Sequence, residues 1–364
     1  MKPKSTTLYD VAEYARVSYQ TVSRVINQAS HVSEKTRRNV EAAMTALNYV
    51  PNRVAQQLAG KLSQTIGLAT TNLSLHAPSQ IVAAIKSKAS ELGFHVVISM
   101  IDQPSLSASK AAVLNLLSQR VDGLIVNIPL ENQDAQAVQA VCGDIPALFL
   151  DVSPDLSANS IIFDPFAGAR LGIEHLVKLG HRDIALLTGP LSSISARLRF
   201  DGWQTTLANH QMTAMAVMEG DWSSLSGYEQ LSRLLDQESV TPTAIVVGND
   251  QMALGALRAL SEHGLAVPGD VSVIGYDDTE DSACFIPPLT TIKQDFKNLG
   301  KTSVERLLSL IQSRHHDAPS QMLPVTLVER KTTAAPGTTH LSPQALADAL
   351  SILAHQVARL PNPS

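Results

Sequence analysis

Six polar positions follow short runs of Val, Ile, Leu and Ala in this chain. They are Asn127 after GLIV, Asp151 after ALFL, Asn249-Asp250 after AIVVG and Asp277-Asp278 after VSVIGY. Carboxylates and amides accept from and donate to vicinal hydroxyls. Arg197 and Arg199, at the start of a helical stretch over 195–209, add planar donor forks, and Trp222 offers an indole that packs on a sugar C–H face. The set suits a neutral polyol or sugar better than a phosphorylated ligand. Taken singly, each Asp or Asn is more readily a helix cap or turn residue, so the weight rests on the ensemble. Asp151 and Asp277 also admit a hydrolase reading, as acid and base across a cleft, although no Ser/His/Asp nucleophile pattern accompanies them.

A different chemistry lies between Thr7 and Leu47. Thr7 caps a first helix, with Asp10 in its first turn and Val11, Ala12 and Ala15 as a small apolar face. Ser18 offers a cap for a second helix, Tyr19 to Asn27. There Val22, Val25 and Ile26 turn inward and leave Tyr19, Gln20, Ser23, Arg24 and Asn27 on the other side. Ser33 caps a third helix carrying Val40, Ala43, Met44 and Leu47 at i, i+3, i+4 and i+7. Two helices joined by a three-residue turn are the unit whose second helix enters the DNA major groove; without DNA the same pattern makes a small packing module. Charge favours DNA. Residues 1–61 hold nine Lys/Arg against four Asp/Glu, a net of +5; the whole chain is −5, so the remainder carries −10.

These residues need elements to position them. From Thr65 onward, apolar runs alternate with helical segments: TIGLAT, helix 78–92, VVISM, helix 107–119, GLIVN, a helix near 134–141 and ALFLD. The rhythm resumes with helix 167–179, IALLTG, helix 195–209, AIVVGND, helix 250–262, VSVIGYDD and helix 295–311. This is the α/β signature of doubly wound parallel sheets, and two successive sets predict two Rossmann-like subdomains with a cleft between them. Ligands in such sheets bind beyond the carboxyl ends of the strands, where the six polar positions lie. Residues 51–62, PNRVAQQLAGKL, form a connector before this core. Its helical part is too short to be stable alone, so it is either a plain linker or a hinge that orders on DNA, with Leu58 as a minor-groove wedge. Residues 332–341 read as a Thr/Ala/Pro/Gly-rich linker. In the last helix, 342–361, Leu346, Leu350, Leu353, Val357 and Leu360 follow a 4-3-4-3 seam that suits either chain assembly or docking on its own core.

Several classes are excluded or disfavoured. At 364 residues and 44% hydrophobic the chain has material for a large core. MKPKSTT is polar, so no secretory leader is expected, and no apolar run approaches a membrane span. Cys142 and Cys284 have no ligand spacing, so neither a disulfide nor a metal site is expected, and a reducing cytoplasm fits. The absence of GxGxxG after the first strand and of a Walker loop argues against a nucleotide cofactor; none is expected.

The motifs LYDVAEYA, VSYQTVSRVINQASHVS, PNRVAQQLAGK, LHAPSQIV, GPLSS, SARLR, GDWS, NDQMALGA, GYDDTEDS and IPPLTTIKQDF resemble those of the LacI/GalR family of bacterial repressors, and of its lactose branch in particular. The resemblance spans essentially the whole chain. It implies a helix-turn-helix headpiece (1–50), a hinge helix (51–62), a sugar-binding core of periplasmic-binding-protein type (63–331), a linker (332–341) and an oligomerisation helix (342–361). By the same resemblance Tyr19, Gln20 and Arg24 read bases. Thr7, Leu8, Ser18, Ser23, Asn27, His31, Ser33, Thr36 and Tyr49 bind phosphates or position the head, and Asn52, Ala55, Gln56, Leu58 and Ala59 make the minor-groove contact. The sugar meets Leu75, Ala77, Pro78, Ile81, Asn127, Asp151, Phe163, Arg199, Trp222, Asn249, Gln251, Asp277 and Phe296. The implied partners are pseudo-palindromic operator DNA, a galactoside inducer and further copies of the chain, as a dimer or a dimer of dimers, with no membrane. A regulator of the same architecture answering to another sugar or a nucleoside, or using its ligand as a corepressor, is the alternative. Two positions depart from the pattern: Arg16 stands where relatives often carry Gly, and Asp164-Pro165-Phe166 follows the expected pocket residue Phe163.

Overall fold

Three side-chain caps build the first part of the chain. The computed structural model describes residues 6–26, 31–50, 63–237, 241–313, 320–337 and 351, and the chain divides into two units, 1–63 and 64–364. In the first unit α1 (Leu8–Tyr14) starts at Thr7, whose Oγ1 accepts from Asp10 N–H at 3.3 Å while Thr7 N–H donates to the Asp10 carboxylate at 2.7 Å. Ser18 Oγ accepts from Thr21 N–H to open α2 (Tyr19–Ile26), and Ser33 Oγ accepts from Thr36 N–H to open α3 (Glu34–Ala46). Val11, Val22 and Val40, one from each helix, are fully buried against each other's neighbours in a small core. Asn39 Nδ2 donates to Ala15 O at 2.7 Å and so ties α3 to the end of α1.

The second unit is two lobes. β1 (Thr65–Thr70), α4 (His76–Glu91), β2 (His95–Met100), α5 (Leu106–Ser118), β3 (Gly123–Asn127), α6 (Asn132–Cys142) and β4 (Ala147–Phe149) wind a parallel sheet of order β2-β1-β3-β4. β5 (Ile161–Phe163) is bridged to β4, since Phe149 N–H donates to Asn159 O at 2.9 Å. The chain then passes to the second lobe through α7 (Pro165–Leu179), β6 (Ile184–Thr188), α8 (Ile194–Asn209), β7 (Ala216–Glu219), α9 (Ser224–Gln237), β8 (Ala244–Val247), α10 (Asp250–Glu262), β9 (Ser272–Asp277) and β10 (Thr290–Lys293). It returns for α11 (Phe296–Ser313) and β11 (Gln321–Leu323), which pairs with β5, and crosses back for β12 (Thr326–Val328), antiparallel to β10. The second sheet runs β12-β10-β9-β8-β6-β7. Each sheet is covered on both faces by separate apolar clusters.

Two expectations need correction. The lobes are not successive: α11, expected in the second set, packs on α4 and on the first sheet, and three crossing segments join the lobes. Periodicity shows that a helix has an apolar face but not which sheet that face covers. Thr332, expected to open a linker, is buried; its Oγ1 donates to Val273 O at 2.6 Å and accepts from Thr290 N–H at 2.8 Å. His181 Nε2 lies 2.8 Å from Ala334 O, so the segment is fastened to the second lobe as far as that residue. Its Thr and Ala side chains are small enough to run along β9 and β10, which the composition does not distinguish from a free linker. The seam from Leu346 to Leu360 and the connector 51–62 lie outside the described residues.

Arg16 sits in the turn of the first unit with φ 53°, a left-handed conformation that strains a residue bearing Cβ. Arg16→Gly is expected to stabilise the headpiece by about 0.5–1 kcal/mol, read from its thermal unfolding. An unchanged or lowered midpoint would show that the side chain compensates for the strain.

Candidate functional site

The carboxyl ends of both sheets meet one cavity of about 680 Å³ between the lobes. From the first lobe come Leu75, Ala77, Pro78 and Ile81 at the start of α4, with Asn127, Asp151, Phe163 and Phe296. Asn127 is the last residue of β3, in register with Thr70, and its Nδ2 donates to Thr70 Oγ1 at 3.3 Å. The Phe163 and Phe296 rings pack edge to face at 5.8 Å where the first and second crossings leave the sheet.

From the second lobe come Arg199, Trp222, Asn249, Gln251 and Asp277. Arg199 is buried, and α8 carries it inward. Its Nη1 donates to Gly248 O at 2.5 Å and its Nη2 to Gln294 Oε1 at 3.3 Å. The guanidinium stands 3.9 Å above the Tyr276 ring centroid, and Nη2 is 3.7 Å from Asp277 Oδ1. Asn249 Oδ1 accepts from Met252 N–H to cap α10, while Nδ2 donates to Trp222 O at 3.0 Å and holds the indole. Gly189 has no Cβ because one would overlap the Trp222 ring.

Among the described residues two side-chain contacts span the cleft. Gln251 Oε1 accepts from His76 N–H at 3.0 Å, and Arg197 pairs with Glu131. Arg197 is therefore a strut between lobes and not part of the cavity wall. Two other sequence candidates are also structural. Asp250 is buried as acceptor for Thr279 N–H and for the hydroxyls of Ser282 and Thr291. Asp278 pairs with Arg330 at 2.5 Å. Burial pushes the Asp277 carboxyl up to about 7, with Arg199 opposing, and the Asp151 carboxyl up to about 6 for the same pair of reasons.

In the first unit α2 turns Tyr19, Gln20 and Arg24 to solvent while Val22 and Val25 are buried, and Ser23 is half-buried. The Tyr9 and Tyr19 rings lie 5.5 Å apart. Thr7, Ser18, His31 and Ser33 are exposed, and Leu8, Thr36 and Tyr49 half-buried. Asn27, Asn52, Ala55, Gln56, Leu58 and Ala59 lie outside the described residues.

Residues 7–52 match the model of bacterial regulatory proteins, lacI family, and residues 173–333 match a periplasmic binding protein-like domain. Over 360 residues, 99% of both chains, the sequence is 64% identical to the lactose operon repressor of Escherichia coli (strain K12). The chain belongs to the lacI family of bacterial regulatory proteins. A solved lac repressor dimer bound to operator and the anti-inducer ONPF is 64% identical, with a TM-score of 0.87 over 91% of this chain and all of that one. A dimeric lac repressor with an 11-residue C-terminal deletion is 60% identical, with a TM-score of 0.73 over 75% of this chain and all of that one.

The relatives of this lacI-family chain are repressors, which decides against the hydrolase reading of Asp151 and Asp277. All thirteen residues expected around a sugar line the cavity. Sequence reasoning missed Gln294 and Tyr276, which also line it and hold Arg199. Gln294 follows β10, whose four residues gave no strand signal; recognising that strand end would have marked it. Among the described residues no helix is long and apolar enough to cross a membrane, and no cluster of three His, Cys, Asp or Glu is placed to hold a metal.

A ligand hydroxyl that donates to Asp277 is bound more strongly by the ionised carboxylate than by the protonated acid. Because that carboxyl is raised to about 7, affinity should rise with pH through that value and fall by about tenfold for each unit below it. Calorimetric titration between pH 5.5 and 8.5 checks this. A flat profile would remove the carboxylate from ligand contact, and Asp277→Asn should abolish the step near pH 7, leaving only a contribution from Asp151 near pH 6.

Proposed function

We propose that this chain is a sequence-specific repressor of a lactose or galactoside utilisation operon, released from its operator when a galactoside occupies the cleft. The observation that carries this is the near-full-length 64% identity to a lactose operon repressor, which includes both the helix-turn-helix and the cleft. In this reading Tyr19, Gln20 and Arg24 read base edges, with Arg24 suited to guanine O6 and N7. Leu8, Ser18, His31, Ser33 and their neighbours contact the phosphate backbone, and residues 51–62 act as the minor-groove hinge. Arg199, Asn249 and Asp277 offer the sugar a guanidinium, an amide and a carboxylate, and Trp222 offers an apolar face. The ligand acts by favouring a core arrangement in which the hinges of a dimer do not pack. Operator DNA must then weaken sugar binding by the same factor.

A gel shift on a lac-type operator, with and without galactosides, tests the reading directly; retention of the complex at saturating galactoside would refute it. Arg24→Ala is expected to lower discrimination against mismatched operators by about tenfold or more while sugar binding is kept. Loss of both activities would contradict separate modules.

The seam Leu346, Leu350, Leu353, Val357 and Leu360 joins two dimers in this proposal. The dimeric lac repressor lacking 11 C-terminal residues supports that assignment. Truncation after Thr339 should convert tetramers to dimers in sedimentation equilibrium, and persistent tetramers would refute the seam.

A further inference from the structure

Among the described residues, six acidic or basic side chains line the cleft: Asp102, Asp151, Asp221, Asp277, Arg199 and His76. Four are carboxylates. Partial burial lowers the pKa of His76 and favours its neutral form, so Arg199 is the one standing cation among them. That guanidinium is already engaged by Gly248 O, Gln294 Oε1, the Tyr276 ring and Asp277. Asp277 is 4% exposed, and its Oδ1 has no hydrogen-bond partner among the described residues. A neutral hydroxyl gives this oxygen one dipolar bond and leaves the excess negative charge in place. An ammonium supplies several donors and neutralises it, whereas a carboxylate or phosphate on the ligand meets like charge and no free cation.

Resting on the galactoside-binding reading above, we propose that the cleft selects glycosides by charge. It prefers an amine-bearing sugar whose ammonium sits against Asp277, and it rejects uronates and sugar phosphates. The ligand is therefore sensed before any phosphoryl transfer to it. Charge selection is a property of the whole lining: Asp151 adds to it from the first lobe, and Asp102 and Asp221 from the exposed rim.

The test is calorimetric titration of the full-length protein at pH 8 with a neutral alkyl galactoside, its four mono-amino regioisomers, its uronate and its 6-phosphate. At least one amino isomer should bind about fivefold to tenfold tighter than the neutral parent, and the two anions more than about tenfold weaker. In Asp277→Asn the ratio of amino isomer to parent should fall to about one, whatever happens to the parent's own affinity. The inference is overturned if no amino isomer exceeds the parent, or if either anion matches it; the wild-type comparison decides this without the variant. Failure of the parent alone to bind sinks the galactoside reading instead. Amino isomers that still bind then leave charge selection standing, and a panel in which nothing binds removes both.

Discussion

The buried guanidinium of Arg199 is the interaction on which the cleft depends. Removing an arginine charge from water costs several kcal/mol unless donors and countercharge are met inside. Here the compensation comes from separate places in the chain: Gly248 O after β8, Gln294 after β10, and Tyr276 and Asp277 at the end of β9. None of these groups suffices alone. The ends of β8, β9 and β10 must be in register before the side chain is satisfied, so the site is a readout of those three neighbouring strands. Asp277 pays part of this cost, since its own backbone sits at φ 112° and its carboxyl is held near neutrality by burial.

Gln294 links that chemistry to the hinge between lobes. It lies on the second of three crossing segments, and its N–H donates toward Asp277 O at 3.4 Å while its side chain accepts from Arg199. The first and third crossings are tied together where Asp164 N–H donates to Leu323 O at 3.1 Å. Movement of one lobe against the other must pass through a residue that also orients the cation of the cleft. The two cross-cleft contacts, Gln251 with His76 and Arg197 with Glu131, add attachments away from those crossings. A ligand that changes how Arg199 or Gln251 is engaged therefore acts on the balance between lobe arrangements, which is the differential contact a population shift requires.

Much of this was legible in the chain. Asn127, Asp151, Asn249 and Asp277 each follow an apolar run, and strand-end position alone placed them together. Asp250 and Asp278 carried the same strand-end signal, and Arg197 the same helix-start signal as Arg199, yet all three serve structure, because their partners Thr291, Arg330 and Glu131 lie far away in sequence. No window of neighbours separates a carboxylate that faces a ligand from one that caps a distant hydroxyl. The short strands β5, β10, β11 and β12 were invisible for a related reason: unlike the equally short β4 and β8 they do not sit in the regular alternation of apolar runs with helices, three or four residues show no period, and tertiary pairing makes them strands. Those strands carry or border the crossings, so the interleaving of the lobes was hidden with them.

The headpiece obeys a different constraint. Among the described residues its core is Val11, Val22, Val25 and Val40 with three buried alanines and seven half-buried apolar neighbours, a small apolar surface that leaves a modest margin. Caps at Thr7, Ser18 and Ser33 and the Asn39 bond to Ala15 O therefore carry a larger share of its order than such groups do in the core unit. In that setting a left-handed Arg16 is a sizeable fraction of the stability available. A positive side chain in the turn between two helices, exposed and on a unit of net positive charge, would offset that strain where it meets negative charge. The strain at Arg16 and the charge asymmetry of the chain thus point to the same phosphate-bearing partner.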